Sequence, residues 1–272
     1  MGPVQLRVAD LDGMVKFYTN GVGLEVLAHD ENSYWLGHGA NRVLHIKHAP
    51  ELKHASGSEA GLFHTAFLFE TEADLAFAVA SVASKYSGSF TGSADHLVSK
   101  AFYFDDPEGN GVELYWDRPR SEWQWNGIQV QMDTLPLDPN QFLQSHLVDQ
   151  VAGKAGIGHV HLSVGAIEPA NQFYVQTLGF DLMFNWNSTA MFVAAGGYHH
   201  HMAMNTWRSK GAGKRQLALG LGNVEIILEN QDQVLETKER LDFHKLDSQF
   251  DSGTAKVEDP WGNVISISAH QE

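Results

Sequence analysis

Apolar and polar residues alternate over VQLRV at the start of the chain and again in EVLAHD, SYWLG and RVLHIKH, while DGMVKFYTNGVG, set between the first and second of these, has apolar residues at helical spacing. A period of two predicts half-buried strands, and a period near 3.6 predicts one amphipathic helix. Residues 1–52 therefore read as strand, helix, then three strands. The order returns in residues 60–120 as LFHTAFLFE, EADLAFAVASVASKY, HLVSKAFYFDD and GVELYW. It returns in residues 156–208 as GHVHLSV, EPANQFYVQTLG, DLMFNW, TAMFVAA and HHHMAMNTW, and in 214–272 as QLALGLGNVEIIL, QDQVLETKERLDFH, TAKVEDP and NVISIS. The stretch 121–155 carries Pro136 and Pro139 with little periodicity and reads as a linker. Several strands in a row after each helix favour mixed, largely antiparallel sheets. The predicted fold is α+β, built from four βαβββ modules, with halves 1–120 and 156–272.

Two motifs occur twice and mark the halves as a duplication. Phe17-Tyr18 followed by Gly23-Leu24-Glu25 matches Phe173-Tyr174 followed by Gly179-Phe180-Asp181 at the same internal spacing. Each pair falls on a predicted helix that a glycine stops. Asp106-Pro107-Glu108-Gly109-Asn110 matches Asp259-Pro260-Trp261-Gly262-Asn263, each a turn signal before a β-rich run.

Composition narrows the chemistry. The 272 residues suit two compact domains, or one large one. A formal net charge of −15 disfavours nucleic acid and anionic membranes as partners. No apolar run of membrane-spanning length and no secretory signal are visible, which makes a cytoplasmic location the expectation. Cysteine is absent, so any metal must be held by His, Asp and Glu.

His64 lies in GLFHTAFLFE and shares a face with Ala66 and Leu68; alone, it reads as a core histidine bonded to backbone. Glu113 sits between Val112 and Leu114, where a carboxylate needs a charged partner or a metal. His159 and His161 are two apart in GHVHLSV, so strand parity does not choose between them. In the run His199-His200-His201, read as strand, His200 points opposite to its neighbours. The other modules offer less: Gln5 and Arg7 stand in the first strand of module one, and Ser266 stands where module two has Glu113. One complete site is expected, not two.

These segments resemble a known family. GHVHLSV, FY followed by LGF, GGYHHHMAMNTW and DHLVSKAFYFDDPEGNGVELYWDRP are similar to the extradiol ring-cleaving dioxygenases, the catechol 2,3-dioxygenase-like branch of the vicinal-oxygen-chelate (glyoxalase) superfamily. The resemblance covers nearly the whole chain, is strongest at 60–120 and 156–208, and is weakest at 214–272. It implies two pseudo-symmetric barrel-like domains and a 2-His-1-carboxylate site at His64, His159 (rather than His161) and Glu113. It also implies an acid–base histidine at His200, a tyrosine beside the substrate at Tyr103 and a supporting histidine at His96. The implied reaction is extradiol cleavage of a catechol-type ring by O₂, giving a 2-hydroxymuconic semialdehyde-type product. Fe(II) is the first metal and Mn(II) the second, the partners are a small aromatic substrate and O₂, and a homo-oligomer is left open. The competing functions are a glyoxalase-like isomerase or resistance enzyme, and a binding protein of the same fold without turnover.

In this superfamily two modules enclose one site. Pairing modules in sequence order would leave His64 and Glu113 apart from His159. Modules two and three are therefore expected to pair, and one with four, with the linker of about 35 residues spanning the gap at about 3.3 Å per residue.

Overall fold

A computed structural model describes residues 1–149 and 152–270. Residues 150 and 151 of the expected linker and the last two residues of the second half lie outside the described residues. The modules fold as their periodicity requires. Module one runs Val4–Val8, a helical segment from Leu11 to Val22, then Glu25–His29, Ser33–His38 and Asn41–His48. Module two runs Gly61–Phe69, the helix Glu72–Lys85, then Phe90–Asp95, Ser99–Asp105 and Gly111–Asp117. Module three has Ala155–Ser163, a helical segment from Ile167 to Thr177, then Asp181–Trp186, Ala190–Ala194 and Met202–Asn205. Module four has Gly220–Leu228, the helix Gln231–Phe243, then Ser248–Asp251, Thr254–Glu258 and Val264–Ala269. Thr71 and Asn230 cap the two long helices, their side chains accepting from the backbone N–H of Asp74 and Gln233.

Apart from a short hairpin of Trp125–Asn126 with Gln129–Val130, the strands form two curled sheets that give a two-domain α+β fold. In the nine-stranded sheet, Gly61–Phe69 and Ala155–Ser163 are central and antiparallel; strands of 90–117 extend one side and strands of 181–205 the other. In the eight-stranded sheet, Val4–Val8 and Gly220–Leu228 hold the same central place. Each module thus joins a sheet through its first strand. Side chains alternate along the strands of the nine-stranded sheet, interrupted where the register shifts. Phe67, Phe69, Val112, Leu114, Val160 and Leu162 turn toward the helices and belong to one apolar core that also takes in Val4, Leu6, Val8 and Val224 from the other sheet. The opposite, concave face carries Ala66, Ala101, Tyr103 and Tyr115.

Three features differ from the sequence reading. Phe90–Asp95 and Ser248–Asp251 are strands that the hydrophobic pattern did not show. They hold the same place in their modules; Ser248–Asp251 is mostly exposed, and Phe90–Asp95 is mostly small and polar beyond its exposed Phe90, so no apolar alternation marks them. The stretch read as a linker carries structure: Leu135–Pro136 pairs with Phe90–Asp95, and the helix Pro139–His146, capped by Asp138, packs Phe142 against Phe102. The strand of module three begins at Met202, so His199, His200 and His201 follow the Gly196-Gly197 turn in irregular backbone. Their directions are set by individual partners rather than by strand alternation. Among the described residues no helix is long and apolar enough to cross a membrane.

The duplicated motifs meet in space. Each Phe-Tyr pair lies in a π-helical turn ended by a left-handed glycine, Gly23 (φ 99°) or Gly179 (φ 88°). Tyr18 donates its hydroxyl to Asp106 Oδ2 at 2.8 Å, and Tyr174 donates to Asp259 Oδ2 at 3.0 Å. Modules one and two, and three and four, lie in different sheets, so these buried bonds tie the two sheets together at two equivalent points. Asp106 also accepts from the backbone N–H of Glu108 and Asn110, closing its own turn.

Burial outweighs those hydrogen bonds and raises the Asp106 carboxyl to about 6. A group raised on folding contributes its stability in full below its unfolded value and loses it as the pH rises through the folded value. Asp106→Asn fixes that group neutral. Between about pH 4 and about pH 7, wild type should therefore lose up to roughly 3 kcal/mol relative to Asp106→Asn. Urea unfolding of both proteins at each pH measures this, and a difference that is flat or grows with pH contradicts the assignment.

Candidate metal centre and its cavity

The concave face of the nine-stranded sheet brings four residues into one row. Tyr103 pairs with Glu113, Glu113 with Ala66, and Ala66 with His159. Ala66 offers only a methyl group, so the longer side chains of Glu113 and His159 meet above it. His64 stands two residues before Ala66 on the same face and leans over the row. The register of the central pair slips on both sides of the site, between Ile157 and His159 and between His161 and Leu162. Such bulges re-aim side chains locally. His64 Nε2 and His159 Nε2 lie 2.9 and 3.1 Å from the same carboxylate oxygen, Glu113 Oε2. The three ligand atoms lie within 4.8 Å of one another, and theirs is the one such His/Cys/Asp/Glu group among the described residues.

Charge and burial favour a cation here. Burial pushes the Glu113 carboxyl up, but the His159 and His64 imidazoles outweigh it and hold the group well below the usual carboxylate range. Burial lowers His159 and keeps it uncharged, with Glu113 opposing. His64 Nε2, though buried and close to Glu113, lacks the alignment of a hydrogen bond and has no partner. A buried nitrogen aimed at a carboxylate it does not bond is costly unless a third group lies between them. Two imidazoles and one carboxylate suit a first-row divalent ion with further positions open. The residues therefore fit a divalent metal.

The group floors a cavity of about 770 Å³. Phe63, Phe184, Trp186, Phe192 and Trp207 give it an aromatic wall. His200 lines it, its ring tilted against that of His159 with centroids 4.0 Å apart. Burial, with His159 and His199 adding to it, lowers His200 well below its ordinary value, so its imidazole is uncharged. Tyr103 also lines the cavity, and His96 Nε2 lies 2.6 Å from its hydroxyl. His96 Nδ1 lies 2.8 Å from the Asp133 carbonyl, an acceptor, and so carries a hydrogen. In the Nδ1–H tautomer Nε2 accepts from Tyr103, which leaves the Tyr103 oxygen lone pairs for the cavity. Burial and the Glu113 charge raise Tyr103 well above its ordinary value, keeping it a phenol. All six residues singled out in the sequence converge on this one cavity. His161 also lines it but is held elsewhere, with Asn205 Nδ2 3.0 Å from its Nε2.

Sequence reasoning missed a second polar chain behind the wall. Asp117 Oδ1 lies 2.7 Å from His199 Nε2, and His199 Nδ1 lies 2.7 Å from His200 Nδ1. Tyr198 donates to Asp117 Oδ2 at 2.7 Å, and its oxygen lies 2.8 Å from that of Tyr115. A signal existed for part of it: 113, 115 and 117 share strand parity, so Tyr115 and Asp117 face the same side as Glu113. Nothing in the pattern placed His199 against Asp117, because the histidines leave the strand.

The sequence pattern of the Glyoxalase/Bleomycin resistance protein/Dioxygenase superfamily matches residues 1–114 and 156–267. The chain is 32% identical over 269 residues to a catechol-2,3-dioxygenase of Bacillus subtilis (strain 168), covering 96% of this chain and 93% of that one. Among solved structures it superposes on a dioxygenase candidate from Bacillus subtilis subsp. subtilis str. 168 with a TM-score of 0.70 at 13% identity, covering 100% of this chain and 86% of the other. It superposes on the V278E mutant of glyoxalase I from Zea mays with a TM-score of 0.60 at 17% identity, covering 98% and 91%. These structural likenesses concern the fold. With a family pattern over both halves and a relative of that identity over nearly its full length, the chain belongs to the glyoxalase/bleomycin resistance protein/dioxygenase superfamily.

Proposed function

We propose that this protein cleaves a catechol-type ring beside its hydroxyl pair, using O₂, at a divalent ion held by His64, His159 and Glu113. Fe(II) is the first choice and Mn(II) the second, since imidazole and carboxylate ligands accommodate both. The product would be a semialdehyde of the 2-hydroxymuconic type. One observation carries the reading: three ligand atoms converge at the floor of an aromatic-walled cavity within reach of an uncharged, buried histidine. The catechol-2,3-dioxygenase relative supports it.

When bound, the ion supplies Lewis-acid activation of the vicinal diol and the electronic contact with O₂. The remaining tasks fall to this chain's own side chains. The aromatic wall excludes water and offers ring faces against which a planar substrate packs. Tyr103, its hydrogen directed to His96, presents lone pairs that can accept a bond from a substrate hydroxyl. His200 can take up and return a proton on the cavity side. A protein that merely bound an aromatic would have no use for that histidine.

His64→Ala, His159→Ala and Glu113→Ala should each abolish stoichiometric binding of one divalent ion, while His161→Ala should retain it. Metal analysis after anaerobic loading and desalting checks this, and an empty site in His161→Ala with a filled one in His159→Ala reverses the ligand choice. O₂ uptake with catechol, coupled to appearance of a semialdehyde, tests the reaction. Metal without uptake across simple and substituted catechols would favour an isomerase. Absence of metal would favour a binding protein. His200→Phe should keep the ion and still bind catechol, yet lose at least about tenfold in ring cleavage, since acid–base groups commonly contribute about 10²–10⁴-fold. Wild-type turnover in that variant removes His200 from the mechanism.

A further inference from the structure

The polar chain behind His200 supplies none of the three candidate ligands and meets them through ring contacts with His159, Tyr115 at 4.9 Å and His199 at 6.3 Å. Its geometry nevertheless determines what His200 presents. Asp117 is an acceptor, so His199 Nε2, 2.7 Å away, must carry the hydrogen between them. His199 is fully buried, with Trp123 stacked edge-on at 5.2 Å and Tyr198 at 4.1 Å. In the Nε2–H tautomer its other nitrogen, Nδ1, is an acceptor. That nitrogen faces His200 Nδ1 at 2.7 Å, so His200 Nδ1 is the donor of that bond. Neutral His200 then has its hydrogen on Nδ1 and a bare Nε2. Nε2 has no hydrogen-bond partner among the described residues, and His200 lines the cavity.

We propose that Asp117 and His199 are positioning residues that hold His200 as the Nδ1–H tautomer, with Nε2 unprotonated toward the substrate. The inference rests on the reading of His200 given above. It accounts for the first three residues of the run YHHH: His200 acts at the cavity, His199 orients it, and Tyr198 fixes Asp117 from the other side. His201 takes no part, since its Nδ1 accepts from the backbone N–H of Ala195 at 3.3 Å. The same logic explains the glycine before His159. A Cβ on Gly158 would lie 1.6 Å from the Tyr115 hydroxyl oxygen, which bonds to Tyr198. The strand that supplies a metal ligand therefore leaves space for the hydroxyls that anchor the relay.

The carboxylate is what fixes the direction of the chain. In Asp117→Asn, the amide oxygen can take the Tyr198 hydroxyl and its NH₂ then meets His199 Nε2. His199 would turn to the Nδ1–H tautomer, and His200 would carry its hydrogen on Nε2. His199→Phe removes the acceptor for His200 Nδ1 altogether and loosens the tautomer without an amide in play.

The test is nitrogen-15 NMR of the histidine side chains in the full chain loaded with diamagnetic Zn(II), with kinetics on the iron-loaded protein beside it. Wild type should show His200 as Nδ1–H and His199 as Nε2–H. In Asp117→Asn the Nε2–H form of His200 should appear, kcat should fall at least about tenfold, and KM should stay within about threefold, because an orienting group acts on the proton-transfer step more than on binding. Asp117→Glu, which keeps a carboxylate, should recover the wild-type tautomer in part. His199→Phe gives the same kinetic split if Asp117→Asn does not fold. A wild-type His200 protonated on Nε2 overturns the proposal, as does an unchanged tautomer and kcat in both variants. Full activity in His200→Phe would instead sink the catalytic reading, whatever the tautomer.

Discussion

The antiparallel pairing of Gly61–Phe69 with Ala155–Ser163 is the constraint on which the site depends. These strands belong to different halves of the chain, and each brings one imidazole. Neither half alone holds all three residues of the candidate metal centre. The pairing places His159 across from Ala66, and the parallel pairing on the other side places Glu113 across from the same alanine. A residue with no side chain beyond its Cβ thus becomes the floor over which a carboxylate and an imidazole meet. Two register slips in the central pair then let His64 lean in from the adjacent row. The eight-stranded sheet repeats the central pairing without the chemistry. Its concave face joins polar side chains to one another, with Ser266 bonded to Asn223, Ser268 to Glu225, and Gln5 Nε2 3.0 Å from His45 Nδ1.

Holding the two sheets in place falls partly to the duplicated motifs. The Phe-Tyr turn of one module reaches the Asp-Pro turn of the next, in the other sheet, and a buried hydroxyl closes on a buried carboxylate at both places. The bond sits immediately before the strand Gly111–Asp117, which carries Glu113, Tyr115 and Asp117 on one face. Alternation along that strand sends Val112 and Leu114 into the core, so the packing that fixes the strand also fixes the direction of all three polar side chains. Candidate metal ligand, buried hydroxyl and the carboxylate behind His199 are consequences of a single register.

Much of this was legible in the sequence, for identifiable reasons. Helices and core strands announced themselves because one face of each is apolar, and the repeats exposed the modular order. Phe90–Asp95 and Ser248–Asp251 did not, because the first is mostly small and polar and the second mostly exposed, which leaves no alternation to read. The structure in 121–155 was hidden for a related reason: Trp123, Val130 and Phe142 are buried singly, at no regular spacing. At the site, His64 and Glu113 stood out as polar residues in apolar strands, and parity left His159 and His161 unresolved. What separates those two is the third dimension, since one meets Glu113 and the other meets Asn205. The relay through His199 was illegible because it depends on a turn that lifts three histidines out of strand alternation.

The central claim is that residues from two modules share one ion. Anomalous diffraction at the iron edge, from crystals loaded anaerobically with Fe(II), tests it most directly. The account predicts a single strong peak about 2.0–2.3 Å from Nε2 of His64, Nε2 of His159 and a carboxylate oxygen of Glu113, by analogy with other nitrogen and oxygen ligand distances. A peak ligated by His161 or His201 in place of these, or no peak at the row above Ala66 in a crystal that demonstrably contains iron, would contradict it.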